Sequence, residues 1–153
     1  MEFEFLTTSD KPALLALQTP QYVEAAKAAL FTLGYKVHGA LNHGAFISRF
    51  VRIPYQVVIL EELFDARTLS LNLTLQNLQA MPMNQRRHAA IVLIGDTFQT
   101  LNPLQAFALS VNGVVHRADA DKLSQVVQQV VSDNDLFLNA YRDTLLRAAQ
   151  GKV

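Results

Sequence analysis

Two apolar runs set the terms for what this 153-residue chain can fold into: "YQVVIL" at 55–60 and "AAIVLI" at 89–94. Both are short, nearly unbroken and rich in β-branched residues. A strand with one wet face alternates apolar and polar residues. An uninterrupted strand is covered on both faces, as central parallel strands are. Three more short runs accompany them, "ALLAL" (13–17), "YKVHGA" (35–40) and "GVVH" (113–116), and helical stretches lie between. Strand–helix alternation repeated in this way predicts an α/β domain, a parallel sheet with helices on both faces joined by right-handed crossovers.

The helices carry recognisable ends. Thr19 predicts an N-cap, Pro20 the first helical position and Gly34 the stop, with Val23, Ala26, Leu30 and Leu33 on the inner face. A second helix is expected from about Asn42 to Arg52, closed by Pro54, with Phe46, Ile47 and Phe50 inward. A third is expected from about Ala66 to Ala80, although Leu69, Leu71, Leu73 and Leu75 partly alternate as a strand would. Asn102 and Pro103 open a fourth, whose buried stripe reads Leu104, Phe107, Ala108 and Val111. Asp119 or Asp121 opens a fifth, carrying Leu123, Val126, Val127, Val130 and Val131. "SDND" (132–135) reads as a separator before a last amphipathic helix, Asp135 to Ala149, with Leu136, Phe137, Ala140, Tyr141, Thr144 and Leu145 on one stripe. The expected division is a leader or extra edge strand at 1–12, one domain at 13–132, and the additional C-terminal helix at 133–153.

Composition removes several function classes. Half the residues are apolar and 17% are charged, which suits one packed domain. Thirteen basic residues balance thirteen acidic ones, so nothing in the net charge draws the chain to nucleic acid or a membrane surface, and no basic recognition helix is visible. Contact with another protein fits that balance better. Without cysteine there are no disulfides, thiolate metal sites or cysteine nucleophiles. No apolar stretch reaches the ~18 residues of a membrane span, and the start lacks a signal-peptide pattern. A cytoplasmic protein, or a soluble module of a larger one, is expected. The glycines match no nucleotide-binding loop and no nucleophile elbow surrounds a serine, so no cofactor is expected.

In parallel α/β sheets the functional crevice lies beyond the carboxyl ends of the strands. That selects Gln18 and Thr19, Glu61 and Glu62, Gly95 and Asp96, and His116 and Arg117. Glu61, Glu62, Asp65 and Asp96 read either as a cation site or as ordinary solvated acids, and the second is expected. "QRRH" (85–88) likewise reads as a solvated basic loop rather than a phosphate site. His38, His43, His88 and His116 lack metal-ligand spacing and read as packed or surface residues.

From about residue 13 to 132 the order of these pieces resembles the receiver domain of two-component response regulators. The resemblance implies a flavodoxin-like three-layer sandwich with five parallel strands in the order 2-1-3-4-5. It also implies an acidic pair after the first strand to hold Mg²⁺, a phospho-accepting Asp after the third, a hydroxyl residue after the fourth and a Lys after the fifth. At those positions this chain has Gln18 and Thr19, Glu61, Gly95 and His116. An amide and a hydroxyl bring no charge to replace two carboxylates around a hard cation.

The expectation is therefore a degenerate receiver, or pseudo-receiver: a phosphorylation-independent signalling domain acting through protein contact, with no catalytic residue, metal or cofactor. Its partner would be a protein or an effector domain. A homodimer would use the face of the fourth helix, fifth strand and fifth helix, or the C-terminal helix. The alternative is a small-ligand-binding or enzymatic domain using Glu61, Asp96 and His116 in the same crevice, with His116 paired to Glu61. A third reading, an active receiver phosphorylated on Glu61, is disfavoured.

Overall fold

The structure, a computed structural model, describes residues 6, 7 and 9–151. Most of the expected leader at 1–12 therefore lies outside the described residues. Five strands, β1 (Lys11–Ala16), β2 (Tyr35–Gly39), β3 (Val57–Glu61), β4 (Ala90–Gly95) and β5 (Gly113–His116), form one parallel sheet in the order 2-1-3-4-5. The longer helices are α1 (Pro20–Thr32), α2 (His43–Phe50), α3 (Leu73–Ala80), α4 (Pro103–Ala108) and α5 (Leu123–Ala149).

Every residue of β3 and β4 is buried, which is what the unbroken apolar runs require. Side chains alternate between two separate cores. Leu14, Val58, Leu60, Ile91 and Leu93 meet α2, α3 and α4 on one face, with Phe46, Phe50 and Tyr55. Ala13, Leu15, Ile59, Val92 and Ile94 meet α1 and α5 on the other. The result is a three-layer sandwich whose two inner faces are both dry. Among the described residues, no helix is long and apolar enough to cross a membrane.

Three expectations are corrected. The third helix begins at Leu73 rather than Ala66, because Asn72 is its cap: the Asn72 Oδ1 accepts from Leu75 N at 3.1 Å. Leu69–Leu71 ahead of it is only a 3₁₀ turn. In α4 the expected stripe is largely outside, with Leu104 77% and Phe107 85% exposed, while Ala106 and Val111 are buried. A helix of six residues turns too few times to bury four positions. Finally, "SDND" separates nothing. The fifth and last helices are one continuous helix, α5, and the additional C-terminal helix is its second half. That stretch holds no glycine or proline, and Asp133 accepts from Gln129 Nε2 one turn earlier at 3.0 Å. Asn134 instead reaches Arg87 O and Asn112 from within the helix, so neither residue needs a break to find a partner.

Candidate functional site

The last residue of β3 and its neighbour are both acidic and both almost wholly buried, Glu61 6% and Glu62 7% exposed. Successive side chains on an extended chain point to opposite sides, and the two carboxylates part accordingly. Glu61 reaches over the end of β1, where its Oε1 accepts from the backbone N–H groups of Gln18 (3.0 Å) and Thr19 (2.9 Å) and its Oε2 from the Thr19 hydroxyl (2.8 Å). Glu62 reaches the other way, over β4, accepting from Asp96 N at 3.0 Å and from the Thr97 hydroxyl. The expected solvated acids are thus, for this pair, buried and fully bonded. Asp65 and Asp96 do remain exposed.

Glu61 has displaced an expected cap. The Thr19 hydroxyl donates to Glu61 and so makes no side-chain bond to α1. The carboxylate itself sits at the amino end of that helix, where negative charge is favoured by the aligned peptide dipoles. Gln18 adds a second tie from β1 to the loop after β3: its Nε2 donates to Leu63 O (3.2 Å) and its Oε1 accepts from Asp65 N (3.0 Å). Asn72, wholly buried, closes the same corner by donating to the carbonyls of Glu61 and Glu62, both at 3.1 Å. Asn72 and Thr97 were not singled out in the sequence. Asn72 was legible there as a cap three residues ahead of an apolar position, but Thr97 left no signal.

Gly95 stands where the resemblance expects a hydroxyl residue, and its lack of a side chain has a steric cause. A Cβ built on it would lie 2.2 Å from Glu62 Oε1 and 2.5 Å from Glu62 Cβ. The Glu62 side chain fills the space a larger residue would need.

His116 is not part of this cluster. Its Nδ1 accepts from Ala118 N (3.0 Å) and its own N–H donates to the Thr100 hydroxyl (3.0 Å), and it makes no bond to Glu61. The strand order explains this: β4 separates β5 from β3, so the two residues are about 10 Å apart across the sheet and an imidazole is too short to cross. Arg117 pairs with Asp96 at 3.0 Å, with both side chains exposed. The groups named for alternative acid–base work, Glu61, Asp96 and His116, are therefore not brought together.

Nor do the residues present suit Mg²⁺. The cation needs oxygen lone pairs in near-octahedral array, and here the oxygens of Glu61 and Gln18 are already accepting hydrogens from the chain itself. Among the described residues no group of three or more His, Asp or Glu side chains is arranged to hold a metal ion.

At the opposite end of the sheet, Arg86 of "QRRH" is inside rather than solvated, and His88 is half-buried. Arg86 is buried and donates to Leu78 O at 2.8 Å and to Ser110 O, clamping α3 to the turn before β5. The His88 ring stacks on Phe50 (centroids 5.5 Å apart), and its Nε2 is buried without a hydrogen-bond partner. Burial pushes its pKa below the ordinary 6.5. Between the folded and unfolded values the unfolded chain holds more protons, so this contribution is complete above about pH 6.5 and is lost as pH falls. The urea midpoint is therefore expected to decline from about pH 7.5 to about pH 5.5, and His88→Phe is expected to flatten that decline. An unchanged slope in His88→Phe would assign it to other groups.

No protein-family model matches the chain, and no curated protein matches it in sequence. Solved structures do resemble it. The chemotaxis response regulator CheY4 of Vibrio cholerae superimposes with a TM-score of 0.63 at 13% identity, covering 80% of this chain and 99% of that one. The fold is that of a response-regulator receiver. A CheY-like receiver domain protein from Methanospirillum hungatei JF-1 gives 0.62 at 11% identity, with 83% and 98% covered. NtrX from Brucella abortus, in complex with ADP, gives 0.63 at 16% identity; 94% of this chain is covered but only 30% of NtrX. Identities this low carry the receiver architecture, with its strand order and crevice, and leave the chemistry of the crevice to the residues themselves.

Proposed function

We propose that the chain is a receiver-like signalling domain that works without phosphorylation, through contact with a protein partner or an effector domain. In this reading Gln18, Thr19, Glu61, Gly95 and His116 stand at the positions of a degenerate phosphoacceptor site, and the domain is not an enzyme. One observation carries it: both carboxylate oxygens of Glu61 accept hydrogen bonds from Gln18 and Thr19, just ahead of α1. A nucleophile needs a free lone pair aimed at phosphorus and a cation to offset the charge of the incoming group. Glu61 has neither. In place of a bridging metal, the Gln18 amide ties β1 to the loop after β3 by direct hydrogen bonds, so the crevice is held in one arrangement by its own side chains.

The partner surface is proposed on the α4–β5–α5 face. Receivers commonly associate there, and here Leu104 and Phe107 leave apolar area on it uncovered. The small-ligand alternative has a specific observation behind it, a cavity of about 220 Å³ at the carboxyl ends of β1 and β2, lined by Leu17, Val23, Lys27, Ala40, Leu41 and Arg49. It is smaller than the ~300 Å³ at which ligand pockets usually begin, and Glu61 is not among its lining residues. Protein contact is the better supported reading.

Incubation with a small phosphodonor and Mg²⁺, read by intact mass, tests the proposal. No phosphoryl adduct is expected, on the chain as it stands or on Glu61→Asp. A stoichiometric acyl phosphate on Glu61 overturns the reading.

A further inference from the structure

The inner stripe of α5 does not stop where the domain does. Val126, Val127 and Val130 are buried against the sheet. At about 100° per residue the same face continues through Phe137, Tyr141 and Leu145, and all three are exposed. From Asn139 to Ala149 every residue of the helix is exposed. The projecting half is held in line with the domain: the Arg87 guanidinium lies 4.0 Å above the Tyr141 ring, and Asn134 Nδ2 reaches Arg87 O at 3.5 Å. An apolar face that its own chain leaves largely uncovered calls for an occupant.

The charges beside the stripe indicate which. The projecting half begins acidic, with Asp133 and Asp135, and ends basic, with Arg142 and Arg147. Only Asp143 interrupts this, and it pairs with Arg147 in its own helix at 3.2 Å. Fourteen residues separate Asp133 from Arg147 and seven separate Asp135 from Arg142, which places each pair on one flank, within about 40° and about 20°. A second copy laid antiparallel brings the acidic end of one arm beside the basic end of the other on both flanks. Phe137 then meets the region of Leu145, with Tyr141 between them. A parallel copy stacks like charges at both ends, which is unfavourable.

We propose that the chain forms a homodimer by antiparallel pairing of the projecting halves of α5. This deepens the reading of the chain as a protein-contact module by naming the partner of its C-terminal helix. The two receiver-like domains would then sit at opposite ends of the paired arms.

The test uses the full chain. Sedimentation across a concentration series is expected to show a monomer–dimer equilibrium. Leu145→Asp is expected to weaken it by about tenfold or more while leaving thermal unfolding of the domain unchanged, since Leu145 is exposed. The absence of cysteine makes the orientation readable. Under mild oxidation, Asn134→Cys mixed with Ala148→Cys is expected to give the mixed disulfide. A wild type that stays monomeric overturns the pairing, and so does crosslinking of Ala148→Cys only to itself. Neither result touches the phosphodonor experiment, so this proposal and the one it rests on fail separately.

Discussion

Glu61→Ala is expected to destabilise the fold by about 3–4 kcal/mol, measured as the loss of unfolding free energy in urea at neutral pH. The substitution strands the N–H groups of Gln18 and Thr19 and the Thr19 hydroxyl beside a cavity, and it removes the charge at the start of α1. Each unmet donor costs roughly 1–3 kcal/mol when buried, less where water follows into the gap. Glu61→Gln keeps the shape and one carbonyl acceptor, and its amide can donate to the Thr19 hydroxyl, so about half the loss is expected. The sign matters more than the size. A working acid kept poised for chemistry stores strain, and deleting it stabilises the protein. A loss below about 1 kcal/mol in Glu61→Ala, or a gain, would mean that the carboxylate is not a structural tie.

Gly95→Ala is expected to cost about 3 kcal/mol, at the upper end of overpacking penalties. The added methyl would overlap Glu62 Oε1 and Cβ, and the Cβ cannot rotate away. The carboxylate would also be driven off Asp96 N and the Thr97 hydroxyl. A double-mutant cycle gives the sharper result. Glu62→Ala removes the carboxylate but keeps a Cβ 2.5 Å from the intruding methyl, so it is expected to rescue Gly95→Ala little. Full rescue would show that only the flexible end of Glu62 is in the way.

The sheet was legible in the sequence because burial on both faces imposes unbroken apolar runs, and all five strands fall on the runs that announced them. The strand order was not contained in those runs; it came from the resemblance to receivers. Helix ends were legible where one residue decides them, as Asn42 does by accepting from Ala45 N. The end at Thr19 was read in the right place, although its hydroxyl turns to Glu61 rather than to the helix, whereas "SDND" was misread as a break: Asp133 bonds to Gln129 one turn back and Asn134 to Arg87. The crevice was the least legible part. Adjacent acids read as solvated, and nothing in residue order shows that backbone N–H groups from two other strands converge on them. Leu104 and Phe107 were misplaced for a different reason: they share one helical face, but α4 turns its Ala106 face to the core.

The uninterrupted run of α5 makes the arm's direction a matter of phase. With no joint between Leu123 and Ala149, the azimuth of Tyr141 is inherited from Val127 against the sheet, residue by residue. One residue inserted near 132–135 rotates everything beyond it by about 100° and advances it by about 1.5 Å, whereas seven inserted residues bring it back within about 20°. Any partner of the arm thus senses length modulo two turns, and the domain, without changing shape, dictates the angle at which that partner is met.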